Sequence, residues 1–317
     1  MAEIKICAYP TAKSLPLHVG MERGYFERFG VSVRVQFTDN SRAQRDSLSS
    51  GASDVVQLAV DNAISMVDDD GHDVVIVSGG DSGMNELFVQ PGIASIADLR
   101  GKSLVVDAPD TAYALQAIKI LANHGLVAGR DYTIDAVGRG ELRLKAMAAS
   151  KQAAAAVLNP PYSFEAEDMG LHSLGNTVEL LGPYQASGAF VMRAWAAANR
   201  PTLERYLAGY VLSLRWVLDP RNSERCIEML RDRLGLTTSI ATRSYAALVD
   251  PKHGFARDAA VDPIGLDNTL ALRRETVLAG RSEASPDATA GRPSSDYVDL
   301  SFYAAALELV GREGAAS

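Results

Sequence analysis

The sequence predicts an α/β protein of two lobes, each a mostly parallel sheet flanked by helices, with a ligand cleft between the lobes. Short apolar runs of strand length alternate with helical patterns through the first two hundred residues. This order is typical of βα units. Successive helical patterns follow Met192, and 317 residues are enough for two separate cores.

The strands are predicted from apolar runs bounded by turn residues. They cover residues 4–9, 32–37, 55–59, 74–78, 86–89, 104–107, 132–136, 155–158 and 189–192. Helices fill most of the gaps. Residues 111–124 carry apolar side chains at the spacing of one helix face, and this helix ends at Gly125.

The change of pattern after Met192 indicates an interrupted first lobe. Pro201 suits the first turn of a long helix that stops at Asp219-Pro220. Helices alone cannot complete a lobe, so the chain is expected to return to its early strands. The sequence therefore predicts one lobe from residues 1–88 plus 189–317, and an inserted lobe from residues 89–188. Residues 280–295 are predicted to be a loop, and residues 300–310 a final helix on the first lobe.

Composition excludes several classes of function. The formal net charge is −8 and the basic residues are scattered, which argues against nucleic acid as a partner. With 47% hydrophobic and 22% charged residues and no long apolar run, the chain is typical of a soluble globular protein. Cys7, Cys226 and the five histidines show no metal or redox spacing. Neither a metal nor a cofactor is expected.

Four segments carry a family resemblance by their order and spacing. They are IKICAYPTAKSLPLHVGMERGYFERFGVSVRVQF (4–37), SSGASDVV (49–56), GIASIADLRGKSLVVDAP (92–109) and GRGELRLKAMAASKQAAAAVLNPPYSFEAEDMGL (138–171). Together they resemble the bilobed solute-binding proteins of ABC importers. The branch that they resemble includes the sulfonate- and taurine-binding proteins and the thiamine-pyrimidine synthase family. Residues 92–109 are the most specific, because such proteins commonly enter the second lobe through I-x-x-x-x-D-L-R/K-G-K.

The resemblance implies a type II periplasmic-binding-protein-like fold and a function without catalysis. Such a receptor captures a small polar or anionic organic solute and presents it to an ABC permease in the membrane, usually as a monomer. Some proteins of this fold are enzymes, among them an aromatic sulfinate desulfinase and hydroxyphthalate decarboxylases. Cys7-Ala8-Tyr9-Pro10 is similar to the desulfinase's Cys-x-x-Pro. Catalysis with Cys7 as nucleophile is therefore the alternative, and the binding protein is favoured.

The start of the sequence leaves two locations open. MAEIKI enters a strand at once, without the basic and apolar regions of an export leader. Solute-binding proteins are normally exported. The protein is therefore periplasmic if a leader has been removed, and cytoplasmic if the sequence as written is the native chain.

Ligands in open α/β sheets bind beyond the carboxyl ends of the strands, so the residues that follow the predicted strands are the candidate site. The first lobe offers Tyr9, Thr11, Asn40, Arg42, Asp61 and Asn62. The second lobe offers Asp110, Thr111, Tyr113, Arg139, Asn159 and Tyr162. Gln185 precedes the return crossing and is expected on the hinge side.

Two of these residues point to an anionic ligand. Thr111 opens a helix, and the free N–H groups of a helix N-terminus suit a carboxylate or sulfonate. Arg139 lies between two glycines and could clamp an anion bidentately. The alternative for Arg139 is an exposed loop arginine.

The other side chains leave more than one interpretation. Tyr9 and Tyr113 could stack on a planar ligand or donate a hydrogen bond, or they could pack at a lobe edge. Asp61 or Asn62 could cap the helix that follows the third strand. If Asp61 faces the cleft instead, it favours an amine or a ring N–H over a sulfonate.

Overall fold

Two five-stranded sheets organise the protein in the computed structural model, which describes residues 1–279 and 292–316. The strands are β1 (Ala2–Ala8), β2 (Val31–Phe37), β3 (Val55–Ala59), β4 (Val74–Gly79), β5 (Glu86–Val89), β6 (Ser103–Val106), β7 (Thr133–Ala136), β8 (Ala153–Leu158), β9 (His172–Asn176) and β10 (Ser187–Met192). The first sheet has the order β2-β1-β3-β10-β4, and the second has the order β7-β6-β8-β5-β9.

Helices cover both sheets. They are α1 (Leu15–Glu22), α2 (Tyr25–Arg28), α3 (Ser41–Ser49), α4 (Val60–Asp68), α5 (Ala112–Asn123), α6 (Gly140–Ala149), α7 (Tyr162–Asp168), α8 (Thr177–Leu181), α9 (Arg193–Ala198), α10 (Arg200–Leu218), α11 (Ser223–Leu234), α12 (Thr238–Leu248), α13 (Pro263–Ala279) and α14 (Ser301–Ala316). Within the described ranges, none of them has the length and apolar character needed to cross a membrane.

Each sheet contains one strand that runs against the others. β10 is antiparallel to both β3 and β4, and β5 is antiparallel to both β8 and β9. The remaining strands of each sheet point one way, as the parallel pairs of β1 with β2 and of β6 with β7 show. The predicted two-lobed α/β class with mostly parallel sheets is confirmed.

The chain crosses between the sheets twice, through residues 80–85 and through residues 182–186. The whole of β5 lies in the second sheet and the whole of β10 in the first. The predicted limits at 88/89 and 188/189 therefore lie a few residues inside these strands, and the division into domains stays a prediction. The predicted loop at 280–295 lies mostly outside the described residues.

Alternating side chains of β1 pack on opposite faces of the first sheet, as the pleat of a strand requires. Ile4 and Ile6 belong to a core that includes Tyr206 of α10 and Phe302 of α14. Cys7 lies in the other core of this sheet, with Val56, Ile64 and Tyr297. Both faces of the first sheet are therefore buried, and C-terminal helices contribute to both: α10 and α14 to the core with Ile4, and α13 to the core with Cys7.

The second sheet is also buried on both faces. Leu104 of β6 packs with Leu121 of α5 on one side. On the other side Val105, its neighbour in β6, packs with Leu144 and Met147 of α6. α5 and α6 are therefore fixed on opposite faces of one sheet, and this arrangement brings their N-termini to the same edge.

Candidate functional site

A cavity that is partly open to solvent lies between the two sheets, and its empty space together with the adjoining open solvent amounts to about 910 Å³. Its lining comes from the carboxyl ends of strands, where Tyr9 follows β1, Asp107 follows β6 and Asn159 follows β8. This is where an open α/β sheet offers its loops and helix N-termini to a ligand. The lining residues are Tyr9, Pro10, Thr11, Lys13, Ser41, Gln57, Leu58, Ala59, Asn62, Asp107, Thr111, Ala112, Tyr113, Arg139, Gly140, Arg143, Asn159, Tyr162, Ala186, Ser187, Tyr210 and Phe255.

Arg143, in the first turns of α6, places a buried positive charge at the cavity. Its side chain is only 3% exposed. Nη1 donates to the carbonyl oxygen of Val157 at 2.8 Å, and the guanidinium carbon lies 5.0 Å from the centre of the Tyr113 ring. Nε has no hydrogen-bond partner among the described residues, and no carboxylate there forms an ion pair with Arg143. A buried charge of this kind is best stabilised by an anion in the cavity.

The N-termini of α5 and α6 add to the positive potential at the same end. Thr111 is the N-cap residue of α5, but its hydroxyl donates to the carbonyl oxygen of Ala108 at 2.8 Å and does not cap the helix. α6 also lacks a side-chain cap. The first N–H groups of a helix have no acceptor within the helix and carry the positive end of its dipole. Ala112 and Gly140, the first residues of these helices, both line the cavity.

Two further cations line the cavity, but the protein itself supplies their counter-charges. Arg139 pairs with Asp39 and, at 2.9 Å, with Glu141. Lys13 pairs at 2.8 Å with Asp81, whose side chain is fully buried. Arg143 therefore differs from both: among the described residues no carboxylate lies within ion-pair distance of it, although the charge of Asp107 acts on it from farther away.

Asp107 brings a carboxylate to the cavity and links its two sides. Its Oδ2 accepts a hydrogen bond of 2.8 Å from the hydroxyl of Ser41, which belongs to the α3 side of the first sheet. Its Oδ1 is buried and has no partner among the described residues. The hydroxyl of Tyr9 lies 3.3 Å from Ser41 Oγ, and burial followed by the charge of Asp107 raises the pKa of Tyr9 far above its usual range. Tyr9 therefore offers a neutral phenol.

Aromatic side chains form much of the remaining wall, and the structure fixes at least two of them. Asn159 Nδ2 donates to the Tyr113 hydroxyl at 3.0 Å. A Cβ atom on Gly140 would lie 2.5 Å from the ring of Tyr162, so only glycine lets this ring approach α6 so closely. Burial raises the pKa values of Tyr162 and Tyr210. The wall is therefore uncharged and suits the organic part of a small solute.

The sequence from residue 11 to residue 165, which includes most of the lining, matches a known family model described as "NMT1/THI5 like". Residues 11–165, just under half of the chain, are therefore similar to the NMT1/THI5-like family. No curated protein matches the chain.

Solved structures show that this chain has the fold of periplasmic binding proteins. A protein from Bordetella bronchiseptica RB50 is 19% identical, with 98% of each chain covered and a TM-score of 0.81. The periplasmic nitrate-binding protein of Synechocystis PCC 6803 is 14% identical, with 98% of this chain and 89% of that chain covered and a TM-score of 0.78. The alkanesulfonate-binding protein of Xanthomonas axonopodis pv. citri, bound to MOPS, is 18% identical, with 90% and 95% covered and a TM-score of 0.74.

The structure brings many of the predicted site residues together in the cavity. Those that line it are Tyr9, Thr11, Asn62, Thr111, Tyr113, Arg139, Asn159 and Tyr162. The other predicted residues lie elsewhere. Asn40 caps α3, Arg42 is exposed on α3, Asp61 pairs with Arg273, Asp110 lies 3.6 Å from Arg45, and Gln185 binds the backbone of Ser187 and Asp262.

The prediction that Asp61 or Asn62 caps the helix after the third strand is wrong. Ala59 is the N-cap residue of α4, so both side chains already lie inside the first turn. Asp61 is 1% exposed and accepts two hydrogen bonds from Arg273 Nη1, at 3.2 and 3.0 Å. Asn62 donates to Gln44 at 2.8 Å. Asp61 therefore does not offer its charge to the cavity, and Asp107 is the acidic residue that does.

Several lining residues were missed in the sequence. Arg143 lies inside a predicted helix, and its signal is its position three residues after Gly140, which places both on one helix face. Lys13 and Asp107 were not singled out, but both lie in strand-end segments, residues 9–14 and 107–113, that the topology predicts at the cleft. The others have no local signal, because they reach the cavity through tertiary packing. They are Ser41, Gln57, Tyr210 and Phe255.

Cys7 does not line the cavity. Its side chain is 1% exposed and lies among apolar residues on the far face of β1. Burial raises the pKa of the thiol to about 11, although a hydrogen bond with Ser53 opposes this shift. A nucleophilic cysteine needs an accessible thiolate, so this placement argues against the catalytic alternative. Among the described residues, no group of His, Cys, Asp or Glu side chains is arranged to hold a metal ion.

Proposed function

We propose that the protein is the solute-binding component of an ABC importer and that it captures a small organic anion between its two sheets. The observation that carries this proposal is Arg143, a buried guanidinium at the cavity without a carboxylate partner in the described structure. The fold supports it, since the neighbours include nitrate- and alkanesulfonate-binding proteins. A ligand-binding component of an ABC-type import system from Staphylococcus aureus has the same fold, with a TM-score of 0.77.

The anionic group of the solute would bind between Arg143 and the N-terminus of α5, where charge-assisted hydrogen bonds are strongest. The contacts across the cleft then favour the closed form. Ser41 donates to Asp107, Arg139 pairs with Asp39, and Arg273 donates to the carbonyl oxygen of Asp110 at 3.1 Å. Each of these contacts joins the first-sheet side to the second-sheet side. Binding of a solute in the cleft and closure of the lobes would therefore support each other.

The proposal includes a partner and a location. A monomer of two lobes, residues 1–88 plus 189–317 and residues 89–188, would deliver its solute to a membrane permease. It would do so in the periplasm, as the name of the nitrate-binding neighbour states for that protein. Cell fractionation of the native organism tests the location.

A ligand panel tests the function directly. Thermal unfolding is measured with short sulfonates, carboxylates, pyrimidines and amines, and each compound that stabilises the protein is then titrated calorimetrically. A solute at a hundred times its Kd stabilises the folded state by about 2.7 kcal/mol. We expect stabilisation by organic anions. No stabilisation by any anion in the panel would contradict the proposal.

Thiol labelling separates the receptor from the cysteine enzyme. Burial raises the pKa of Cys7 to about 11 and that of Cys226 to about 12, so neither forms much thiolate at pH 8. We expect iodoacetamide to label neither thiol in the folded protein and both in urea. Cys7→Ala is expected to leave ligand affinity within about twofold. Rapid labelling of native Cys7 would contradict its burial, and turnover of a solute that Cys7→Ala abolishes would establish the enzyme.

A further inference from the structure

We infer that Phe164 and Arg243 form a latch that holds the two lobes closed and sets how long a solute stays in the cavity. The latch joins α7 of the inserted lobe to α12 of the first lobe, and neither of its residues lines the cavity. Its effect on a solute rests on the proposed function, whereas its effect on closure needs no solute.

Phe164 is a residue of the inserted lobe that packs on the other lobe. Its partly buried side chain lies against the core of the first lobe that contains Ile4 and Tyr206. Among the described residues, all other members of that core lie before residue 85 or after residue 188. Separation of the lobes would return this aromatic ring to water, which costs free energy in proportion to the apolar area exposed. The contact of Phe164 therefore favours the closed form.

Arg243 covers the ring of Phe164 and binds the end of the same helix. Its guanidinium carbon lies 4.5 Å from the centre of the ring. Nη1 donates to Asp168 at 2.8 Å, and Nη2 donates to Glu167. Exposed ion pairs are weak one at a time, but here one cation makes two of them and a cation–π contact with a single helix. All three contacts are lost together when α7 leaves α12.

The latch lies where closure acts on both walls of the cavity. α7 begins at Tyr162, which lines the cavity from the inserted lobe. α12 packs against α7 and also against the short turn Ala12–Ser14, whose Lys13 lines the cavity from the first lobe. Separation of α7 from α12 would therefore move these two walls apart and let a solute leave.

Salt separates the latch from the other contacts between the lobes. The surface ion pairs Lys119–Glu275 and Lys252–Glu179 also join the lobes, the second at 2.5 Å. Salt screens such pairs. It does not weaken the apolar contact of Phe164. We therefore expect high salt to reduce closure in the wild-type protein without abolishing it.

Pulsed electron paramagnetic resonance tests the latch without a solute. Spin labels are attached at Ser50→Cys and Lys151→Cys, which are exposed positions just beyond the C-terminal ends of α3 and α6. The two native thiols are buried and stay unlabelled. The distances between the labels give the ratio of closed to open molecules. We expect Arg243→Gln and Phe164→Ala each to lower this ratio about tenfold, and about 0.5 M NaCl to lower it less in the wild type.

Two matched variants control for general effects. Arg215→Gln also breaks a bidentate pair, but Arg215 and its partner Asp258 both belong to the first lobe. Met169→Ala removes an exposed apolar side chain just after α7. Both should keep the wild-type ratio within about twofold.

The result that would overturn the latch is a wild-type ratio in either Arg243→Gln or Phe164→Ala, or a wild-type protein that is entirely open. The double variant Phe164→Ala/Arg243→Gln, which lacks both parts of the latch, keeps the measurement decisive if the wild type is almost wholly closed. It should then show a clear open population.

Stopped-flow kinetics with the tightest anion of the panel test the residence time. We expect Arg243→Gln to raise the dissociation rate constant about tenfold and to leave the association rate constant within about threefold. Equal dissociation rates in both proteins would overturn the effect on residence time and leave the proposed function standing. If no anion binds, the proposed function fails, and the distance measurement still decides whether the latch exists.

Discussion

A charged residue that lines the cavity can bind a charged ligand well only if no other residue of the protein already forms an ion pair with it. Arg139 is flanked by glycines and was the arginine favoured from the sequence, but in the structure it pairs with Asp39, one hundred residues away in the chain. Arg143 looked like an ordinary helix residue, yet it is 3% exposed at the cavity. Single-sequence reasoning could find the helix that carries both residues. It could not find the partners, because these come from distant elements.

At the residue scale, the burial of His18 predicts that the stability of the protein depends on pH. Both ring nitrogens are buried without partners among the described residues, and burial, followed by the charge of Arg233, lowers the pKa of His18 to about 4. The unfolded imidazole has a pKa of 6.5. Between these pH values the unfolded chain binds more protons than the folded one, so the free energy of unfolding falls as the pH falls from 6.5 towards 4.

We expect His18→Leu to remove this dependence. Between pH 7 and pH 5 the wild-type protein should lose about 2 kcal/mol more of its free energy of unfolding than the variant does. Urea denaturation at the two pH values measures the difference. An equal loss in both proteins would show that His18 does not titrate as its burial implies.

The close approach of the Tyr162 ring to Gly140 predicts that a single methyl group added at this position lowers stability and weakens ligand binding. The Cβ of Gly140→Ala would lie 2.5 Å from the Tyr162 ring, so the ring must move and the cavity wall must change. We expect the free energy of unfolding to fall by about 1 to 3 kcal/mol and ligand binding to weaken. Urea denaturation and calorimetry measure the two effects.

Gly311→Ala is the matched control in another helix. A Cβ there meets no atom within 4 Å, and alanine favours helices, so stability should stay equal or rise by about 0.5 to 1 kcal/mol. An equal change in the free energy of unfolding in both variants would contradict the predicted cost of placing a Cβ atom against the Tyr162 ring.

At the scale of elements, the sequence predicted those helices and strands whose ends and apolar faces are marked by neighbouring residues in the chain. The long helix α10 has Pro201 in its first turn and ends at Leu218, just before Asp219-Pro220, as predicted. The helix predicted at 111–124 is α5, Ala112–Asn123. The strand β9, His172–Asn176, was missed because it lies at a sheet edge, contains Gly175 and has no fully buried residue to reveal an apolar pattern.

The packing of α13 on α4 depends on a buried ion pair that no local pattern indicates. Arg273 of α13 and Asp61 of α4 have side chains 3% and 2% exposed, and their closest atoms lie 3.0 Å apart. Arg273 also donates to the Asp110 carbonyl oxygen, at the entrance to α5. The residue therefore joins an element of the first lobe to the loop that positions Thr111.

We expect Arg273→Met to lower the free energy of unfolding by about 3 to 5 kcal/mol, because it leaves the buried carboxylate of Asp61 without its partner. Urea denaturation measures the loss. Adding Asp61→Asn to this variant should recover part of it. Arg312→Gln is the control, since its pair with Glu308 is 76% and 70% exposed and should contribute less than about 1 kcal/mol. A similarly small loss in Arg273→Met would contradict the role of the pair.

At the scale of the whole molecule, two crossings of the chain create both the fold and the site. β10 returns to the first sheet after the chain has formed the second, so the carboxyl ends of strands in both sheets face one cavity. The sequence predicted this topology because strand order and spacing carry it. It could not predict Tyr210 and Phe255 in the lining, because the docking of α10 and of the segment after α12 depends on packing over the whole first lobe.

The central claim is that Arg143 receives an organic anion, and paired arginine substitutions test it most directly. The tightest anion from the panel is titrated calorimetrically into the wild-type protein, Arg143→Gln and Arg42→Gln. Arg42 is exposed on α3 and does not line the cavity. We predict that Arg143→Gln weakens binding about tenfold or more, as expected for a lost charge-assisted contact, and that Arg42→Gln stays within about twofold of wild type. Wild-type affinity in a folded Arg143→Gln variant would contradict the account.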